Sequence, residues 1–162
     1  MKTIRICALL LAGLAVQPLA AAGSLADSCK VSKGQQKNET LMAYVPPEGT
    51  FVFYPGGPGF VDQDGALGMK FAWSRLVPGM IQAGGKRLDG NAPPARVYFN
   101  KGYGKRGFHP SYLVFPTPGC WQITGRLADQ SLTFIVWVEK VGDGPTWKYK
   151  LPDDGSWYST QL

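Results

Sequence analysis

One histidine, three cysteines and eleven acidic residues are all that 162 positions provide for most kinds of protein chemistry. Each shortage closes a route. A cysteine or serine nucleophile needs a base to activate it, ordinarily histidine, and His109 is the sole candidate. It precedes Cys120-Trp121, whereas papain-like proteases carry their histidine after the cysteine. The lead-in to Cys120 is Pro116-Thr117-Pro118-Gly119, not the Cys-Gly-Ser of those enzymes. No Gly-x-Ser-x-Gly elbow is present. One histidine with few thiols cannot assemble the three protein ligands of a zinc site. Met42, Met69 and Met80 with His109 would suit copper, but methionine in an alternating strand is ordinarily core. No metal or cofactor is expected.

Long apolar runs and helical periodicity are also missing. The longest apolar stretch, Ile6 to Val16, falls short of the roughly 20 residues a spanning helix needs. It follows Lys2 and Arg5 and leads to Pro18 and small residues, the layout of a secretory signal. Cleavage after Ala22 fits the small-x-small rule, and cleavage up to Ala26 fits as well. We therefore read residues 1–22 as a signal peptide and 27–162 as the domain, with no transmembrane segment. A lipid anchor is not expected, because Asp27 stands two positions before Cys29, where a lipoprotein signal wants small residues.

Export makes an oxidising compartment, periplasmic or extracellular, the expected location. There Cys29 and Cys120, the two cysteines beyond the signal, have one intramolecular pairing open to them. Closing so long a loop stabilises by about 4–5 kcal/mol on chain-entropy arithmetic. Without Lys2 and Arg5 the net charge falls from +6 to +4. That modest, scattered excess reads as solvated basic loops and does not point to nucleic acid.

What is abundant is glycine (21) and proline (13), dispersed between short alternating runs. Thr50–Tyr54 places Phe51 and Phe53 on one face, and Leu67–Ser74 alternates Leu67, Met69, Phe71 and Trp73 against Lys70 and Ser74. "PARVYFN" and "SYLVFP" predict two more strands. "CWQITGR" and "SLTFIVWVEK" predict an antiparallel hairpin closed by "LADQ", with Trp121, Ile123, Leu132, Phe134, Val136 and Val138 facing inward. "YPGGPGF" predicts a loop, since proline lacks the amide a central strand needs. "VDQDGA" holds Asp62 and Asp64 like the start of a calcium loop, but without its glutamate, and reads better as a hairpin turn. "GMIQAGGKR" fails as a phosphate loop, with Gly85 where lysine is required. The tail from about residue 142 keeps two tryptophans and two tyrosines and is expected to pack onto the domain.

The segment 113–138 resembles the C-terminal hairpin of a group of small exported bacterial proteins. The likeness rests on Phe115-Pro116, Gly119-Cys120-Trp121, Thr124-Gly125-Arg126 and Leu132-Thr133-Phe134. It implies an all-β, immunoglobulin-like antiparallel β-sandwich and brings no catalytic residues with it; a fold alone would not supply a function.

The loop 100–112 is the binding candidate. Lys101, Lys105 and Arg106 interleave there with Tyr103, Phe108, His109 and Tyr112. Cations attract anions at long range and aromatics offer stacking area; the same aromatics could instead fold back over the core. The expectation is a non-catalytic binding protein engaging an envelope protein or anionic polysaccharide, with an inhibitor or immunity-type role as one form. A cell-wall hydrolase using carboxylates without a motif is the alternative, as is a structural module of an envelope assembly.

Overall fold

The structure, a computed structural model, describes residues 28–150, 156–160 and 162. The segment read as a signal peptide lies outside the described residues, as does Asp154-Gly155, a pair that predicts a turn. The described chain is all-β. Its strands are β1 (Gln35–Lys37), β2 (Leu41–Tyr44), β3 (Thr50–Phe53), β4 (Phe60–Val61), β5 (Leu67–Arg75), β6 (Gln82–Arg87), β7 (Arg96–Asn100), β8 (Gly107–Phe115), β9 (Gly119–Leu127), β10 (Gln130–Lys140) and β11 (Trp157–Thr160).

Two sheets result. The larger runs β1-β2-β5-β8-β7-β11, with β4 also paired to β5; the smaller runs β3-β10-β9-β6. Their inner faces share one apolar core, as period-two alternation requires. Phe71 of β5 stacks on Phe134 of β10 with centroids 5.4 Å apart, and Phe51 of β3 meets Phe115 of β8 at 5.8 Å. Gly125 leaves room on β9 for the Trp73 indole: a Cβ there would lie 2.6 Å from the ring. Among the described residues, no helix is long and apolar enough to cross a membrane.

Cys29 and Cys120 form the disulfide, with Cα atoms 5.7 Å apart across 91 positions. This removes Cys120 from nucleophilic chemistry. Trp121 beside it is fully buried and donates its indole N–H to the Thr117 carbonyl at 3.1 Å. The hairpin β9–β10 pairs Leu127 with Gln130, so its turn is Ala128-Asp129. The Asp62–Ala66 turn joins β4 to β5, with Gly65 at φ 84°. Its two carboxylates are held by Arg96, at 3.1 Å from Asp62 and 2.7 Å from Asp64.

Two expectations are corrected. The sheets are not wholly antiparallel: β3 pairs with β10 in parallel. No hairpin links these strands, so nothing in the connection forces opposite directions. Nor is 100–112 a single loop. Asn100 ends β7, the loop proper is 101–106, and Gly107–Tyr112 belongs to β8, which pairs with β5 along its full length. Pro110 lies one residue beyond the last β7 pair, Phe99 with Ser111, where a missing amide costs least.

The described parts of the tail lie against the larger sheet. β11 adds to the edge at β7, and Trp147 and Tyr149 close over Phe60 at 5.9 and 5.2 Å. Phe60, Ala66, Tyr112 and Val114, with Tyr98, Tyr149 and Trp157 packed against them, build a second, smaller cluster on the outer face of the larger sheet.

Candidate functional site

The end of the sandwich where β5 finishes and β8 starts gathers the residues singled out at 100–112. Alternation divides them. Phe108 points to the outer face and is 54% exposed, whereas His109 points inward and is 2% exposed. Tyr112 lies outward but is covered by the tail, with Trp157 at 5.0 Å. Burial and the neighbouring Tyr149 push its hydroxyl up to about 12. Lys101, Lys105 and Arg106 are exposed on the loop. Tyr103, at the loop tip, meets both sides: its ring lies 6.0 Å from Phe108 and stacks on His109 at 5.9 Å.

Two cavities adjoin at Tyr103. The outer one, of about 380 Å³, is lined by Lys70, Tyr103, Phe108, Pro110, Tyr112 and Trp157. It is a shallow aromatic cleft on the face of the larger sheet, with one cation at its side. The inner one, of about 430 Å³, opens at the end of the sandwich between Met80 and Tyr103, with Lys101 and Lys105 beside them. Arg75, His109 and Tyr158 form its interior side. Asn100 and Tyr103 line both cavities.

Electrostatics of the inner cavity follow from burial. Arg75 is 3% exposed; burial lowers its pKa, and the nearby Tyr158 works in the opposite sense. Its Nη1 donates to the Gly79 carbonyl at 3.0 Å and its Nη2 to the Gly104 carbonyl. His109 bonds the Asn100 carbonyl through Nε2 at 2.8 Å, so that nitrogen carries the proton. Burial holds its pKa below the usual histidine value; the Asn100 bond opposes this and the Arg75 charge reinforces it. The imidazole is therefore neutral at pH 7. Burial raises the Tyr158 pKa against the pull of Arg75 and of the Ile81 backbone, which approaches the hydroxyl oxygen.

Arg75 and Tyr158 were not singled out from the sequence. Arg75 did leave a signal, because it continues the inward series Leu67-Met69-Phe71-Trp73 with a charge. Tyr158 left none, since its place depends on β11 pairing with β7 nearly sixty residues away in the chain.

In comparisons with known proteins, the chain matches no family model, no curated protein and no solved structure.

Proposed function

We propose that this is an exported binding protein of the bacterial periplasm or cell surface that engages an anionic envelope polysaccharide through the face formed by Asn100–Tyr112 and Trp157. One observation carries this reading: the outer cleft is walled by four aromatic rings, Tyr103, Phe108, Tyr112 and Trp157, with Lys70 beside them. Aromatic faces cover the apolar C–H faces of sugar rings, and lysine supplies attraction to acidic groups. Phe108 exposes more than half its surface on a strand, a position that folding alone gives no reason to make aromatic. The disulfide agrees with an oxidising compartment. The two-sheet core with its β9–β10 hairpin supports an immunoglobulin-like sandwich as the finer description of the fold.

The proposed role is binding: the four rings offer contact area and Lys70 offers attraction to acidic groups. Tyr103→Ala combined with Phe108→Ala removes two exposed rings without touching the main core. The double variant is expected to lose at least about tenfold in affinity for acidic polysaccharide while keeping its melting temperature. Unchanged affinity would show the site to be wrong, and release of reducing ends from the polysaccharide would show a hydrolase.

A further inference from the structure

Four buried side-chain polar atoms among the described residues lack a hydrogen bond of normal geometry, and three of them belong to residues that line the inner cavity: Arg75 Nε, His109 Nδ1 and Tyr158 Oη, the last approached by the Ile81 backbone. Buried polar atoms are ordinarily paired, so three orphans on one cavity call for a cause. Arg75 sharpens the point. It is a nearly fully buried cation whose hydrogen bonds go to two backbone carbonyls, and the ion pairs of the described residues involve Lys33, Arg87 and Arg96 instead. A buried charge without a counter-charge is costly.

We propose that this cavity seats the carboxylate of an acidic sugar, with Arg75 and Tyr158 on the carboxylate and His109 on a neighbouring hydroxyl. The inference rests on the polysaccharide reading above and names the group that the site selects. The chemistry of the three atoms defines the ligand. Arg75 Nε–H is a charged donor, and the Tyr158 O–H is a neutral one whose proton has no acceptor. Two donors match the two oxygens of a carboxylate. His109 Nδ1 is a bare acceptor, because Nε2 holds the ring's proton against the Asn100 carbonyl. It would face a lone pair on any further unprotonated oxygen, which disfavours a sulfate dianion; a hydroxyl satisfies it. A carboxylate flanked by a hydroxyl is the pattern of a sugar acid. The volume, about 430 Å³, lies within the roughly 300–1,000 Å³ of small-molecule pockets.

Entry is controlled by Tyr103. The three polar atoms are closed off from the cavity as well as from solvent while the Tyr103 ring stacks over His109, so the carboxylate reaches them only when that ring moves aside. The ring sits between Gly102 and Gly104, in a loop that ends at Gly107 with φ 87°. Because Tyr103 and Asn100 also line the aromatic cleft, one acidic residue inside and its neighbour outside would occupy adjoining subsites of a single chain.

The test is calorimetric titration of the mature, disulfide-bonded protein with glucuronate oligomers, neutral glucose oligomers and inorganic sulfate, repeated on Tyr158→Phe. The glucuronate oligomer is expected to bind at least about tenfold more tightly than the neutral one, with sulfate weaker still. Tyr158→Phe is expected to weaken glucuronate binding about tenfold with little change in melting temperature, since the hydroxyl proton has no acceptor within the protein. The imidazole NMR signals of the single histidine are expected to move as glucuronate is added. Sulfate binding as tight as glucuronate or an indifferent Tyr158→Phe would each overturn the carboxylate pocket and leave the polysaccharide reading standing; equal affinity for acidic and neutral oligomers would overturn the pocket and the anionic part of that reading together. Failure of both oligomers to bind would overturn that reading as well.

Discussion

At the residue scale, His109 connects folding to pH. Its imidazole faces Arg75, Tyr103 and Tyr158, with Lys101 and Lys105 on the same cavity and no carboxylate among the described lining residues. Its folded pKa lies below the unfolded value, so the unfolded chain binds the proton more readily. The stabilisation is present above the unfolded value of about 6.5 and is lost as pH falls through the lower folded value. Thermal unfolding between pH 7.5 and 5.5 should show the melting temperature falling with acidification. In His109→Gln that slope should flatten; an equal slope in both proteins would place the titration elsewhere. Gly125 makes a second case. With Trp73 covering it, Gly125→Ala should cost about 1–3 kcal/mol by overpacking, read from denaturant unfolding.

At the element scale, the β9–β10 hairpin turns through Ala128 at φ 55°, a conformation that costs an L-residue roughly 1–2 kcal/mol. Ala128→Gly should stabilise by about 0.5 kcal/mol once glycine's greater unfolded-state entropy is offset, and a loss of stability would mean that the turn differs. This hairpin was legible in the sequence, as were β3, β5 and the Asp62–Ala66 turn, because period-two patterns and turn residues are local signals. β6 was not. Its "QAGGKR" carries little side chain to alternate, and it is a strand because β9 pairs with it. β1 and β2 are too short to show a period. At the candidate site, the sequence marked the basic-aromatic segment but could not divide it. Only the continuation of β8 back to Gly107 sends Phe108 out and His109 in. The charge at Arg75 was visible as a break in the inward series, and Tyr158 became a neighbour of His109 only through long-range pairing.

At the scale of the whole molecule, the disulfide ties the segment before β1 to β9 across most of the described chain. Its loss in Cys29→Ser with Cys120→Ser should cost about 4–5 kcal/mol at most, a fall in melting temperature on the order of 10–20 °C. A fall of a degree or two would mean that the two sheets hold that segment without it. The candidate face lies at the far end of β5 and β8 from their paired residues Leu67 and Phe115, and it is completed by β11, so the tail belongs to the site as well as to the fold. The most direct test of the account is amide chemical-shift mapping of the isotope-labelled mature protein during titration with an acidic envelope oligosaccharide. The account predicts shifts concentrated at Asn100–Tyr112, around Lys70 and in Trp157–Tyr158. Saturable shifts confined to another surface, such as β3 or β6, or no shifts at all, would contradict it.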